Sequence, residues 1–209
     1  GNYRLHKIIR NTSILIIYMP IAPNFTSVLS KDWEINFTQC APNGYLKYTE
    51  LCNLLQMTAA AHSEIGGISF TDMQEFHQAW VLSKMRVEIK RLPQWKDKVM
   101  VKTWIKSLEN SRSTRCLELY LGKKKIVGCE TFWAVFNTKT RRPETLALPH
   151  EHFEKFPNDS ATEKSYAKIN LQQEFEKVFN SFISLKTGTN TDFKIQPVQP
   201  LKFEFSEVI

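Results

Sequence analysis

No Cys-x-x-Cys pair occurs in the 209 residues, and no cysteine stands at metal-ligand spacing from a histidine. Cys40, Cys52, Cys116 and Cys129 are scattered singly. That pattern argues against a disulfide framework and against a structural zinc site. The thiols read as free in a reducing compartment, so the expected location is the cytoplasm. A P-loop and a dinucleotide-binding fingerprint are missing too, so no cofactor and no metal are expected. There is no internal repeat. The apolar run Ile14–Ala22 contains Pro20 and is far too short to span a bilayer. Arg4, Lys7 and Arg10 precede it, which superficially resembles a secretory signal. The expectation is instead an apolar arm over residues 1–30.

What is present is an ordinary globular composition, 42% hydrophobic and 12% aromatic, sufficient for a core without covalent staples. The net charge is +7, and it is unevenly placed. Between Lys84 and Arg142 there are 16 Lys/Arg against 5 Asp/Glu, a net of +11, while the remainder has 12 against 16, a net of −4. A field of that sign favours acidic partners. Nucleic acid, anionic membrane and acidic carrier proteins qualify, and solvated strand faces are the plain alternative. The basic-plus-aromatic pattern of RNA-binding sheets is missing, which argues against nucleic acid.

Residues 33–38 alternate apolar and polar, the period of a half-buried strand. Pro42-Asn43-Gly44 is a turn. From Lys47 to Ile65 the apolar positions are Leu51, Leu54, Leu55, Thr58, Ala59, His62 and Ile65. Those spacings of three and four predict one long helix, and Gly66-Gly67 ends it. Four strands follow, at 80–90, 98–106, 114–121 and 126–137. Gly122-Lys123-Lys124 reads as a hairpin turn, and the last strand is apolar on both faces. Residues 143–165 read as loop or linker. A short helix is expected over 170–182 and an edge strand at 202–205. One long helix between a first strand and an antiparallel sheet is an α+β layout in which the sheet wraps the helix.

Four segments line up in order. The helix carries Leu55-Gln56-Met57-Thr58-Ala59-Ala60-Ala61-His62-Ser63-Glu64, and the next strand carries Ala79-Trp80-Val81-Leu82-Ser83-Lys84-Met85. Leu92-Pro93-Gln94-Trp95 and Lys139-Thr140-Arg141-Arg142-Pro143 follow. The set resembles the N-terminal half of bacterial and plant acyl-acyl-carrier-protein thioesterases, over roughly residues 33–143. The resemblance implies a hotdog fold and hydrolysis of fatty acyl thioesters of acyl carrier protein in fatty acid biosynthesis. It also implies that acidic carrier as the partner of the basic stretch. Family members usually carry a second hotdog unit with an Asp-x-Asn-x-His turn. No such motif occurs after residue 150, and residues 144–209 read as linker and tail without a complete second unit. Laid against that turn, Ala41 takes the Asp position, Asn43 keeps the Asn and Tyr45 takes the His. Ala41 has no base, and a phenol is a poor one at neutral pH.

The catalytic candidates are therefore Asn43, Glu50 in the first helical turn and His62 on the apolar stripe. Glu50 serves the helix dipole equally well, and a lone stripe histidine is ordinarily a core residue. Cys52 lacks a histidine partner as a nucleophile. Leu51, Leu54, Leu55, Trp80 and Trp133 are the expected acyl pocket, with plain core as the alternative. Lys139, Arg141 and Arg142 are the expected grip on a carrier's phosphate. The expected activity is acyl-ACP thioester hydrolysis, and the alternative is an acyl- or carrier-binding hotdog module without turnover. An uncovered sheet edge is a liability that pairing removes, so a homodimer is expected.

Overall fold

A computed structural model describes residues 4–10, 13–19, 21–165 and 202–206. The helix expected over 170–182 lies outside the described residues. The stripe read from the sequence is the buried face of α1, Tyr48–Ile65: Leu51, Leu54, Leu55, Thr58, Ala59 and His62. Ile65, at its end, is only half-buried. Glu50 lies in the first turn, where a carboxylate suits the exposed N–H groups. Gly66 caps the other end. Gly67 then takes φ +72°, a left-handed turn that costs glycine nothing.

The described residues form two sheets. β1, Arg4–Arg10, and β2, Ser13–Met19, form an antiparallel hairpin of their own. The main sheet contains β3 Val28–Glu34, β4 Gln78–Ile89, β5 Lys98–Glu109, β6 Arg112–Leu121, β7 Lys124–Asn137 and β8 Lys202–Ser206. Their order is β3-β5-β6-β7-β4-β8, antiparallel at every pairing. The edge strand expected near 202–205 is thus β8, paired to β4.

The first strand of this sheet differs from its expected position at 33–38. β3 ends at Glu34, and Phe37–Gln39 is a 3-10 turn. The chain leaves the sheet because Gln39 Oε1 accepts the Asn36 N–H at 2.9 Å, a side-chain bond that competes with the ladder. A further helix not read from the sequence, α2 Phe70–Gln74, starts at Ser69, whose side chain and that of Asp72 cap each other.

α1 lies against the inner face of the sheet. Its Leu51, Leu54 and Leu55 pack with Ile35, Leu46, Met85, Val87, Val101, Leu117 and Leu119. Each such side chain contributes about 1.5–3 kcal/mol by leaving water. A second cluster joins Ile68, Met73, Ile105 and Val135 to Leu146, Leu148 and Phe153. The last three belong to residues 138–165, which have no helix or strand yet pack closely on the domain. Their far end crosses the outer face of the sheet, where Trp104 Nε1–H donates to Asp159 O at 3.2 Å and Lys125 Nζ to Ala161 O at 2.7 Å. Gly128 makes this possible, because a Cβ there would run into the Ala161 carbonyl. The outer face is otherwise charged, with Lys106–Glu130 at 2.9 Å and Lys125–Glu118 at 2.6 Å.

Candidate functional site

The turn before α1 is closed on itself. Ala41 N–H donates to Tyr45 O and Gly44 N–H to Ala41 O, both at 2.8 Å. Asn43 Oδ1 accepts the Tyr45 N–H at 3.2 Å, so the amide carbonyl that could face a substrate serves the turn. Gly44 has φ +80°, and Tyr45 bridges to Gln94. Pro42 and Asn43 are exposed, and Glu50 is half-buried one turn into the helix. Cys52 is half-buried, and burial raises its thiol pKa above the ordinary value. Among the described residues, Asn43, Tyr45, Glu50 and Cys52 do not form a hydrogen-bonded pair of a base and a group that orients it.

His62 is fully buried and both ring nitrogens are engaged. Nδ1 lies 2.7 Å from Arg115 Nη1, and Nε2 lies 2.9 Å from the Thr26 carbonyl oxygen. A guanidinium can only donate, so Nδ1 accepts and Nε2 carries the proton. Phe25 stacks on the ring at 5.8 Å and Phe153 meets it edge-on at 5.4 Å. Burial, and then the Arg115 charge, lower its pKa from 6.5 to about 3. This imidazole is a neutral structural hinge between helix and sheet.

The sign of its pH effect follows. The unfolded chain binds a proton at His62 below pH 6.5 that the folded chain refuses until about pH 3. Stability from this group is complete above pH 6.5 and is lost as pH falls toward 3. Denaturant titrations at pH 7, 6, 5 and 4 are expected to show falling stability. In His62→Gln, which keeps an acceptor for Arg115, the decline over that window should be shallower. An equal slope in both proteins removes His62 as the cause.

A cavity of about 420 Å³ opens beside this hinge, between α1 and the sheet. Ala59 and Ala60 on the helix, Ile68 after it, and Trp80, Ile105 and Trp133 on the strands form its apolar walls. Phe70 of α2 stands at the rim, 70% exposed. The indole N–H groups are bound elsewhere, Trp80 to Ile68 O at 3.1 Å and Trp133 to Thr131 Oγ1 at 2.9 Å. Ser63, Ser113 and Arg115, with Gln56, Glu64, Ser69 and Thr71, supply the polar part of the lining. Across this space the small Ala59 and Ala60 of the helix share the lining with the large Trp80 and Trp133 of the sheet.

The sequence-read residues divide accordingly. Trp80 and Trp133 line the cavity, whereas Leu51, Leu54 and Leu55 lie in the first core cluster. Glu50 is in the first turn of α1, roughly 15 Å along the helix axis from Ala60 at 1.5 Å per residue, and Asn43 is in the turn before the helix. Lys139, Arg141 and Arg142 are exposed on the loop just after β7. That loop is at the cavity's end of the sheet, because Gln78 pairs with Asn137 and Trp80 with Val135. Asn137 Oδ1 holds it by accepting the N–H groups of Lys139 and Thr140, each at 2.9 Å. Lys139 Nζ lies 2.7 Å from His77 Nε2.

Ser63, Ser113 and Arg115 were not read as site residues. Arg115 carried one signal, since it occupies an inward position of β6 in phase with Leu117 and Leu119, all buried. Among the described residues no group of three His, Cys, Asp or Glu is placed to hold a metal ion. No described helix is long and apolar enough to cross a membrane.

Comparisons with known proteins bear on the family and the fold. Residues 26–154 match the acyl-ACP thioesterase N-terminal domain. Over 107 residues the chain is 32% identical to the oleoyl-acyl carrier protein thioesterase of Coriandrum sativum, covering 46% of this chain and 28% of that one. It is 35% identical over 98 residues to the palmitoyl-acyl carrier protein thioesterase of Cuphea hookeriana, covering 43% of this chain and 24% of that one. The chain thus spans about a quarter of the length of these relatives. An acyl-ACP thioesterase structure from Bacteroides thetaiotaomicron superposes with a TM-score of 0.64 at 19% identity, over 77% of this chain and 76% of that one. The 12:0-ACP thioesterase from Umbellularia californica gives 0.57 at 23% identity, over 69% and 61%. The shared architecture is the hotdog fold, an antiparallel sheet wrapped on a long helix.

Proposed function

This chain belongs to the acyl-ACP thioesterase family, and from that premise we propose that its hotdog domain takes the acyl chain of an acyl-carrier-protein thioester and serves its hydrolysis in fatty acid biosynthesis. The observation that carries the reading is the cavity walled by Trp80, Trp133, Ile68 and Ile105. Its 420 Å³ falls within the range of about 300–1,000 Å³ common for small-molecule sites. The exposed cations Lys139, Arg141 and Arg142 stand at the same end of the sheet. There they would meet an acidic carrier, or the phosphate of its pantetheine arm, while the acyl chain enters the cavity.

Hydrolysis needs a base for water and donors for the oxyanion. Neither the closed turn at Ala41–Tyr45 nor the doubly bonded His62 provides them. The proposal therefore gives acyl and carrier binding to this domain and the hydrolytic groups to a second hotdog unit. Pairing with a second copy would also cover β3, the strand at the end of the sheet order. A clean monomer by light scattering would count against that pairing.

Acyl-carrier-protein thioesters of several chain lengths, assayed for binding and for thiol release, test the function. Asn43→Ala is expected to leave carrier affinity within about twofold, since it removes only one turn hydrogen bond. Thiol release that disappears in Asn43→Ala would move the chemistry back to the turn. Binding without release is the expected result for this chain alone, and binding without release even when a second hotdog unit is supplied supports the second reading, an acyl- or carrier-binding module without turnover.

A further inference from the structure

We infer that the cavity is also a carboxylate site, one that holds a fatty carboxylate head-inward with its charged end on Arg115. This rests on the reading that the cavity takes an acyl chain, though not on hydrolysis. Arg115 is only 5% exposed and lines the cavity. A buried cation ordinarily has a carboxylate beside it, because desolvation is otherwise uncompensated. Arg115 has none among the described residues. Its acceptors are His62 Nδ1 at 2.7 Å, Thr103 Oγ1 at 3.3 Å and Ser63 Oγ at 3.2 Å, all neutral.

The hydrogen-bond count points the same way. A guanidinium has five N–H donors, and those three bonds use two on Nη1 and one on Nη2. What remains is the Nε–H and one N–H of Nη2, on neighbouring arms of the fork. Those two positions grip a carboxylate side-on with two parallel hydrogen bonds. The hydroxyls of Ser63 and Ser113 line the same cavity.

The surroundings then define the ligand. Beyond Arg115 the lining combines the indoles, Phe70, Ile68, Ile105 and alanine with the polar Gln56, Glu64, Ser69 and Thr71, and its apolar part suits an unbranched apolar body. An acyl thioester presents no charge to the guanidinium, whereas a free fatty acid does. The site is thus selective for the class of molecule that thioester hydrolysis releases, and a carboxylate bound this way occupies the space an acyl chain needs.

Tryptophan fluorescence reads occupancy, since Trp80 and Trp133 are both in the wall. The intact protein is titrated with octanoate, decanoate and dodecanoate and with the methyl ester of each. The expected result is that each carboxylate binds at least about tenfold tighter than its ester, as charge-assisted hydrogen bonds allow. Arg115→Met should erase that difference. If that variant does not fold, the acid–ester comparison on the unmodified protein decides alone. Equal binding of acid and ester overturns the Arg115 assignment and leaves the acyl-cavity reading standing. Binding of neither overturns both.

Discussion

Leu55→Ala is expected to lower the unfolding free energy by about 2–5 kcal/mol and to leave acyl affinity per folded molecule unchanged. Leu55 is fully buried at the middle of α1, packed in the cluster that joins helix to sheet. Truncating it loses the transfer free energy of the removed carbons and leaves a void whose walls are held by the strands. The cavity is lined from a neighbouring part of the helix, by Gln56, Ala59, Ala60 and Ser63. Urea denaturation followed by circular dichroism measures the first effect, and ligand titration below the transition measures the second. An affinity that falls with stability would return Leu55 to the acyl site.

The complementary change is Ser113→Phe. Ser113 faces the cavity from β6, directly opposite Trp133 in the ladder. A phenyl group there has open space of about 420 Å³ to enter, so overpacking costs little. It occupies the volume an acyl body needs, and acyl affinity should drop at least about tenfold, as expected for losing the burial of a few methylenes at about 0.8 kcal/mol each. Stability should stay within about 1 kcal/mol of the unmodified protein. The two variants together separate core from cavity, since one loses stability without binding and the other binding without stability. Unchanged affinity in Ser113→Phe would place the acyl chain elsewhere.

Much of the scaffold was legible because it follows simple periods. The α1 stripe from Leu51 to His62 repeats at three and four, and those are the residues the helix buries. β4 to β7 alternate, so their positions were readable from Met85, Val87 and Ile89 or from Val99 and Val101, which are buried. Short or irregular pieces were harder. α2 has five residues, too few for a stripe, and its only signal is the Ser69–Asp72 capping pair. Leu146, Leu148 and Phe153 enter the core without any period.

The site was less legible for a physical reason. A cavity is made by what does not fill it, here Ala59 and Ala60 facing Trp80 and Trp133, and helix and strand positions that share a wall have no fixed spacing. Periodicity made the leucines look like wall and core at once. Burial places them in the core cluster and the two tryptophans in the wall. The hinge of His62 on Arg115 joins residues 53 positions apart, and no local pattern announces it.

The most direct measurement is a crystal structure of the chain bound to a non-hydrolysable thioether analogue of an acyl-phosphopantetheine. The expected result is density for the acyl chain between α1 and the sheet, against Trp80 and Trp133, with the phosphate near Lys139, Arg141 and Arg142. Acyl density lying instead at the Ala41–Tyr45 turn, with the cavity beside Trp133 vacant, would contradict the account.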